Sequence, residues 1–229
     1  MLNQDRAIGA DRQFFDFPGA AQSPVRHALT DAFTLIGASL NIARNGEIYG
    51  EGEAADYAYK VVRGVVRTSK LLNDGRRQVS AFLLPGDVFG LEAAEEHRFT
   101  AEAVSDASVV FVKRSALVAL ATRDGEVAND LWIMAATELQ RAHEHIMLLG
   151  RKSARERIAA FLLEMADRSE HSDTVDLPMS RQDIADYLGL TIETVSRTIT
   201  LLENAATIKL PSARRIQLCN RVELSRLNA

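Results

Sequence analysis

The spacing of apolar residues in this chain changes near Asp124, and that change leaves few folds open. Between Gly46 and Gly90, seven of the 13 glycines separate short runs such as AYKVV (58–62), VVRTSKLL (65–72) and QVSAFLL (78–84). A meander of short strands requires that spacing. Asn73-Asp74-Gly75-Arg76 lies between two of the runs, and Asp-Gly readily takes the positive φ of a tight hairpin turn. Pro85-Gly86-Asp87 breaks the pattern, and β-rich runs resume at Phe99–Ala103 and Ser108–Lys113. From Asp124 to about Gly150 the period is helical: Ala128, Trp132, Ala135, Leu139, Ala142, Ile146 and Leu149 alternate at spacings of four and three. That is a heptad seam. Such a stripe serves either a dimer or a helix lying on its own β domain, and its length favours the dimer. A second helix is predicted over Ala154–Arg168, with Ile158, Phe161, Leu162 and Met165 on one face, and the polar SEHSDTVD after it reads as a loop before a small helical domain. The expectation is an α+β chain: a loosely held arm (1–26), a mostly β domain (27–122), a dimerisation helix (123–150) and a helical domain (151–229).

Charge and cysteine content narrow the function classes. The formal charge is −4, but from Arg151 onward 12 Lys+Arg stand against 11 Asp+Glu, leaving 15 against 20 before it. The acidity therefore belongs to the N-terminal part and does not argue against nucleic acid binding by the C-terminal part. The single cysteine, Cys219, excludes an intrachain disulfide and any cluster or zinc site needing several thiolates from this chain. No run of about 18 uncharged apolar residues exists, and the first residues lack a basic start followed by an apolar stretch. The expectation is a cytoplasmic protein with no membrane partner. Gly-x-Ser-x-Gly, Walker and His-Glu-x-x-His patterns are absent, so catalysis is not expected.

Residues 180–203, SRQDIADYLGLTIETVSRTITLLE, read as a helix-turn-helix. Ser180 and Asp183 resemble a capping box opening the first helix. Ala185 stands where two helices must approach closely, and Gly189 can supply the positive φ of the turn. Thr191 can cap the second helix, and Ile184, Leu188, Leu190, Val195, Ile199 and Leu202 supply the packing positions. Glu193, Ser196 and Arg197 stand at i, i+3 and i+4 and project together. Arg can bond two guanine acceptors, Glu can accept from the cytosine amino group, and Ser can meet a base edge or a thymine methyl in the major groove. The alternative for Glu193 and Arg197 is an i,i+4 surface ion pair worth a few tenths of a kcal/mol. Past Glu203, TIKLPSARRIQL reads as two short strands around Pro211-Ser212-Ala213, a wing whose Lys209, Arg214 and Arg215 suit phosphate contacts or, alternatively, guard a solvated edge. Cys219 is expected to be a buried structural residue of the second wing strand.

The Gly-punctuated β domain, the long seam and RQDIADYLGLTIETVSRTITLLE with its basic wing resemble the CRP/FNR superfamily of bacterial transcription regulators from about Phe33 onward. Glu193-Thr194-Val195-Ser196-Arg197 and HRFTAEAVSDA (97–107) resemble the FNR and FixK branch, whereas the cyclic-AMP receptor branch carries Gly at the Ser position and an Arg where this chain has Ile192. Thr198 departs from the larger aliphatic residue usual in that helix. The resemblance implies a double-stranded β-helix (β-roll) of the cyclic-nucleotide-binding type and a C-terminal winged helix-turn-helix. It implies half-sites of the TTGAT type in a palindrome, read by Glu193, Ser196 and Arg197, with Ser180, Gln182, Thr191 and Thr194 near phosphates. In the cyclic-AMP branch a Gly-Glu pair and a later Arg-Ser or Arg-Thr hold the nucleotide; here Gly90-Leu91-Glu92 and Arg98-Phe99-Thr100 are interrupted. The N-terminal cysteines that hold an iron-sulfur cluster in FNR are absent from residues 1–150.

Of the five histidines, His143 and His145 sit two apart on the predicted long helix and point to different faces, which is unsuited to a shared metal. The expected function is a homodimeric activator working without cofactor or effector, with RNA polymerase as a partner. In the resembling branch such proteins govern low-oxygen respiration, denitrification or nitrogen fixation. The competing reading is a ligand-gated regulator whose β-roll binds a nucleotide, haem or another small molecule.

Overall fold

The computed structural model describes residues 28–169 and 173–228. The predicted arm (1–26), His27 and His171 lie outside the described residues. The N-terminal part runs α1 (Ala28–Ile36), β1 (Ala38–Ile42), β2 (Glu47–Tyr49), β3 (Tyr57–Arg63), β4 (Val66–Leu71), β5 (Arg77–Leu83), β6 (Val88–Phe89), β7 (Thr100–Ala103) and β8 (Ala107–Lys113). These strands form two four-stranded antiparallel sheets, ordered β1-β8-β3-β6 and β2-β7-β4-β5, the crossed order of a β-roll. The Asp74-Gly75 turn joins β4 to β5 as predicted, with Gly75 at φ 82° and the Leu72 N–H donating to the Arg76 carbonyl.

Next come α2 (Arg114–Ala121) and α3 (Gly125–Arg151), a single 27-residue helix capped by the Asp124 carboxylate. The structure shows one of the two roles the sequence left open for this helix, and α3 carries a second stripe one residue away from the predicted seam. Val127 is buried with Leu29, Phe33, Ala58, Val112 and Leu117, and Leu131 and Met134 pack on the same cluster. That stripe docks the helix on its own β-roll. The predicted seam lies about 100° around the helix, and Trp132, Leu139 and Ile146 on it are 74%, 58% and 64% exposed in the single chain. Ala128, Ala135 and Ala142 are exposed as well, and Leu149 is half-buried.

The C-terminal part is α4 (Ala154–Asp167), β9 (Thr174–Asp176), α5 (Arg181–Leu188), α6 (Ile192–Asn204), β10 (Ile208–Ser212), β11 (Arg215–Leu218) and α7 (Arg221–Asn228). Ser153 and Glu156 form a full capping box at the start of α4, which separates it from α3. Three details correct the sequence reading. The stretch SEHSDTVD is not loop throughout, since Thr174–Asp176 adds a third strand to the wing, in the order β10-β11-β9. The wing turn falls at Ala213-Arg214, and Pro211 lies inside β10, where the register slips between Lys209 and Ser212 and no ladder N–H is demanded of it. Cys219 follows β11 and is exposed, because the strand's inward alternation ends at Leu218.

The largest apolar core does not respect the division between roll and helical part. It joins Val65, Val79, Phe82 and Val104 of the roll to Ile158, Phe161, Leu162, Ile184, Leu188, Val195 and Leu202. Phe82 meets Phe161 and Tyr187 at ring-centroid distances of 6.2 and 5.2 Å. Beside this junction His145 of α3 stacks on Tyr187 at 4.3 Å, and its buried Nε2 has no hydrogen-bond partner among the described residues. Burial, and then the Arg157 charge, hold this imidazole below the usual 6.5. The unfolded chain takes up the proton near the ordinary value while the folded chain resists it, so the neutral-His contribution to stability is present above about pH 6.5 and is lost as pH falls below it. Chemical denaturation at fixed protein concentration should therefore show stability declining from pH 7.5 to 5.5, and His145→Phe, which keeps a ring on Tyr187, should show a shallower decline. Identical slopes for the two proteins would remove His145 as the cause.

Candidate nucleic-acid interface

The Ser180 hydroxyl accepts from the Asp183 N–H at 3.0 Å and donates to Asp183 Oδ2 at 2.8 Å, while the Ser180 N–H donates to the same oxygen at 2.9 Å. The predicted capping box thus opens α5. The helix ends where Gly189 takes φ +61°, with the Leu190 N–H returning to the Ala185 carbonyl at 3.0 Å. A non-glycine residue would be strained there. Ala185 is fully buried between the helices. Thr191 caps α6 by accepting from the Thr194 N–H at 3.2 Å. Val195, Ile199 and Leu202 face the core together with Thr198, which is 6% exposed. The turn is braced by a residue that no local motif marks. Arg157 donates to the carbonyls of Leu149, Lys152 and Leu188, each at 2.8 Å, and so ties the ends of α3 and α5 together.

With its inner side fixed, α6 turns Glu193, Ser196 and Arg197 outward, and all three are exposed. Glu193 does not close the surface ion pair with Arg197 that was its alternative role; no such pair joins them among the described residues. Its carboxyl lies below the usual range chiefly through a hydrogen bond to its own backbone N–H and another from the Thr191 hydroxyl, with the Arg197 charge a smaller influence. Arg197 is left exposed, with its five donors available for a bidentate acceptor. Ser180 and Gln182 are exposed at the start of α5, and Thr191 and Thr194 lie at the start of α6. Helix N-termini carry partial positive charge, which suits phosphates. The wing stands against α6, the Leu210 N–H donating to Glu203 Oε1 at 3.3 Å. Lys209 and Arg214 are exposed on it. Arg215 differs: its guanidinium is engaged in two bonds to Asp176 of β9, at 2.8 and 3.0 Å.

The interior of the β-roll has a different character. Tyr49 and His97 stack face to face at 3.5 Å, Tyr59 and Phe89 stack at 5.2 Å, and Tyr49 lies 5.3 Å from Tyr59. His97 is 2% exposed, and its Nδ1 is 3.1 Å from Glu92 Oε2. Burial and then the Glu92 charge push the Tyr49 hydroxyl far above the ordinary tyrosine range. Arg98 is exposed in a mixed-charge surface with Glu51, Lys70, Glu95 and Glu96, where Lys70 pairs with Glu51 at 2.6 Å. Among the described residues there is no His, Cys, Asp and Glu grouping able to hold a metal ion, and no helix is long and apolar enough to cross a membrane.

Comparison with known proteins agrees with both parts of the chain. Residues 156–227 match the Crp-like helix-turn-helix domain, and residues 40–124 match the cyclic nucleotide-binding domain. The chain is 55% identical to the nitrogen fixation regulation protein FixK of Azorhizobium caulinodans over 199 residues, covering 85% of this chain and 80% of the relative. It is 35% identical to the transcriptional activator protein FnrL of Cereibacter sphaeroides, over 72% of this chain and 70% of that protein. Among solved structures, FixK2 from Bradyrhizobium japonicum superposes with a TM-score of 0.82 at 52% identity, covering 85% of this chain and 98% of FixK2. Shared fold, shared domains and identity of this extent leave one assignment: the chain belongs to the CRP/FNR family of DNA-binding transcription regulators, on its FixK branch.

Proposed function

We propose that the protein is a homodimeric, cytoplasmic transcription activator that binds a TTGAT-N4-ATCAA type of palindrome without a bound effector and is controlled through its amount. By likeness to the FixK and FnrL relatives, its targets are genes for low-oxygen respiration, denitrification or nitrogen fixation, and RNA polymerase is its partner at promoters. The observation that carries base reading is the outward trio Glu193, Ser196 and Arg197 on a helix whose opposite side is buried. Effector independence is supported by the packed rings of Tyr49, Tyr59, Phe89 and His97, which occupy the roll interior with this chain's own side chains. Phosphate contacts are assigned to Ser180, Gln182, Thr191, Thr194, Lys209 and Arg214. Arg215 contributes only if it leaves Asp176. Dimerisation through Ala128, Trp132, Ala135, Leu139, Ala142, Ile146 and Leu149 sets two copies of α6 about 34 Å apart, one turn of DNA. The working division remains an arm (1–26), a roll (27–122), a dimer helix (123–150) and a winged reader (151–229).

The test is anisotropy of a labelled palindrome duplex at physiological salt with purified protein and no additive. Selective binding over a scrambled duplex is the expected result. Weak binding rescued by a cyclic nucleotide or haem would replace this reading with the ligand-gated one.

A further inference from the structure

Where α5 crosses the sheet containing β4 and β5, five charged side chains close a network that no local sequence signal marks. Arg67 of β4 donates from Nη1 to Asp183 Oδ1 at 2.9 Å, and from Nε and Nη2 to Glu102 Oε2 of β7, both at 3.1 Å. Arg77 of β5 donates from Nη2 to the same Asp183 oxygen at 2.5 Å, and from Nε to Asp186 Oδ2 at 2.8 Å. The Arg67 and Asp183 side chains are only 8% and 6% exposed, so this is not a screened surface pair. Burial alone would raise the Asp183 carboxyl; the Ser180 hydrogen bonds and the Arg67 and Arg77 charges outweigh it and hold it below the usual range.

The other oxygens of these two carboxylates hold residues assigned to phosphates. Asp183 Oδ2 accepts from the backbone and hydroxyl of Ser180, and Asp186 Oδ1 accepts from Gln182 Nε2 at 2.6 Å. Each carboxylate therefore bridges a roll arginine to a residue assigned to a phosphate. We propose that Arg67 and Arg77 are positioning residues for DNA binding, fixing the reader helices on the β-roll, and through it on the dimer helix, so that the two copies of α6 match one half-site spacing. The inference rests on the DNA-reading assignment above. It follows from geometry: a reader held by charge-assisted bonds at two points, with Phe82 packed on Phe161 and Tyr187 beside them, tolerates little rotation. A loosened reader would still recognise each half-site but would lose the pre-organisation that selects their separation.

The experiment uses the full-length protein and palindromes with three, four, five and six base pairs between half-sites, beside a scrambled duplex. Arg77→Asp is the disruptive variant and Arg77→Gln a milder one should the first not fold. Arg77→Asp with Asp186→Arg reverses the pair at unchanged net charge. Asp183 is left alone because it also caps α5. Wild type should prefer one spacing. Each single variant should bind that duplex about tenfold more weakly and discriminate less among spacings, while still preferring any palindrome to the scrambled duplex. The reversed pair should restore the spacing preference. An unchanged profile, an equal loss at every spacing, or no restoration in the reversed pair would overturn the proposal. Failure of wild type to prefer any palindrome would instead overturn the DNA-reading assignment.

Discussion

Arg197→Ala should cut affinity for the palindrome by roughly 30-fold to 10⁴-fold, as expected for loss of about 1–3 kcal/mol at each of two half-sites. The side chain is exposed and α6 is held by Val195, Ile199 and Leu202 on its other side, so the variant should fold and dimerise as wild type does. The loss should be selective: one base pair in each half-site should cease to matter, with the others still discriminated. Lys209→Ala makes the contrast. Removing a phosphate contact lowers affinity on all sequences alike and reduces the slope of log K against log salt by about 1 per contact. If Arg197→Ala binds the palindrome like wild type, or loses affinity equally for the scrambled duplex, the base-reading role is wrong.

The second large effect is expected at the seam of α3. Leu139→Asp with Ile146→Asp places carboxylates at two 58–64% exposed aliphatic side chains of the proposed seam. Four such side chains per dimer, each still about 60% exposed in the single chain, contribute roughly 4–7 kcal/mol of association energy before charge repulsion is counted. Sedimentation equilibrium should give a 25.2 kDa species instead of twice that mass, and palindrome binding should drop to the level of a scrambled duplex. Because the stripe of Val127, Leu131 and Met134 is untouched, α3 should stay docked on its own roll and the circular dichroism spectrum should hold. A dimeric double variant would place the seam elsewhere.

What could be read from the sequence follows from the range of each interaction. The helix-turn-helix was legible because its determinants lie within a few residues: Ser180 with Asp183, Ala185 with Gly189, Thr191 with Thr194. The hairpin at Asp74-Gly75 was legible for the same reason. The second stripe of α3 was hidden because its C-terminal half is polar, Glu138, Arg141 and His145 standing where an apolar residue would have shown the period. The strand Thr174–Asp176 is three residues long and owes its state to its neighbour β11, which no local pattern reports. Asp183 was seen as a cap, but its partners Arg67 and Arg77 lie 116 and 106 residues away. Cys219 was misplaced by one position of strand alternation.

The shared core of roll and reader bears on how such a protein is removed from a cell. Val65, Val79 and Phe82 lose their cover if the helices around Phe161 and Leu188 melt, so opening of the reader exposes apolar core of the roll as well. A protease that needs a locally opened chain then finds Val65, Val79 and Phe82 uncovered whenever the reader opens, so a fragment that keeps α3 and lacks a reader is itself a ready substrate. Such a fragment could pair with intact chains along the seam and silence them. If the regulator is governed by its quantity, as proposed above, this coupling ties the number of folded chains to the number of competent ones.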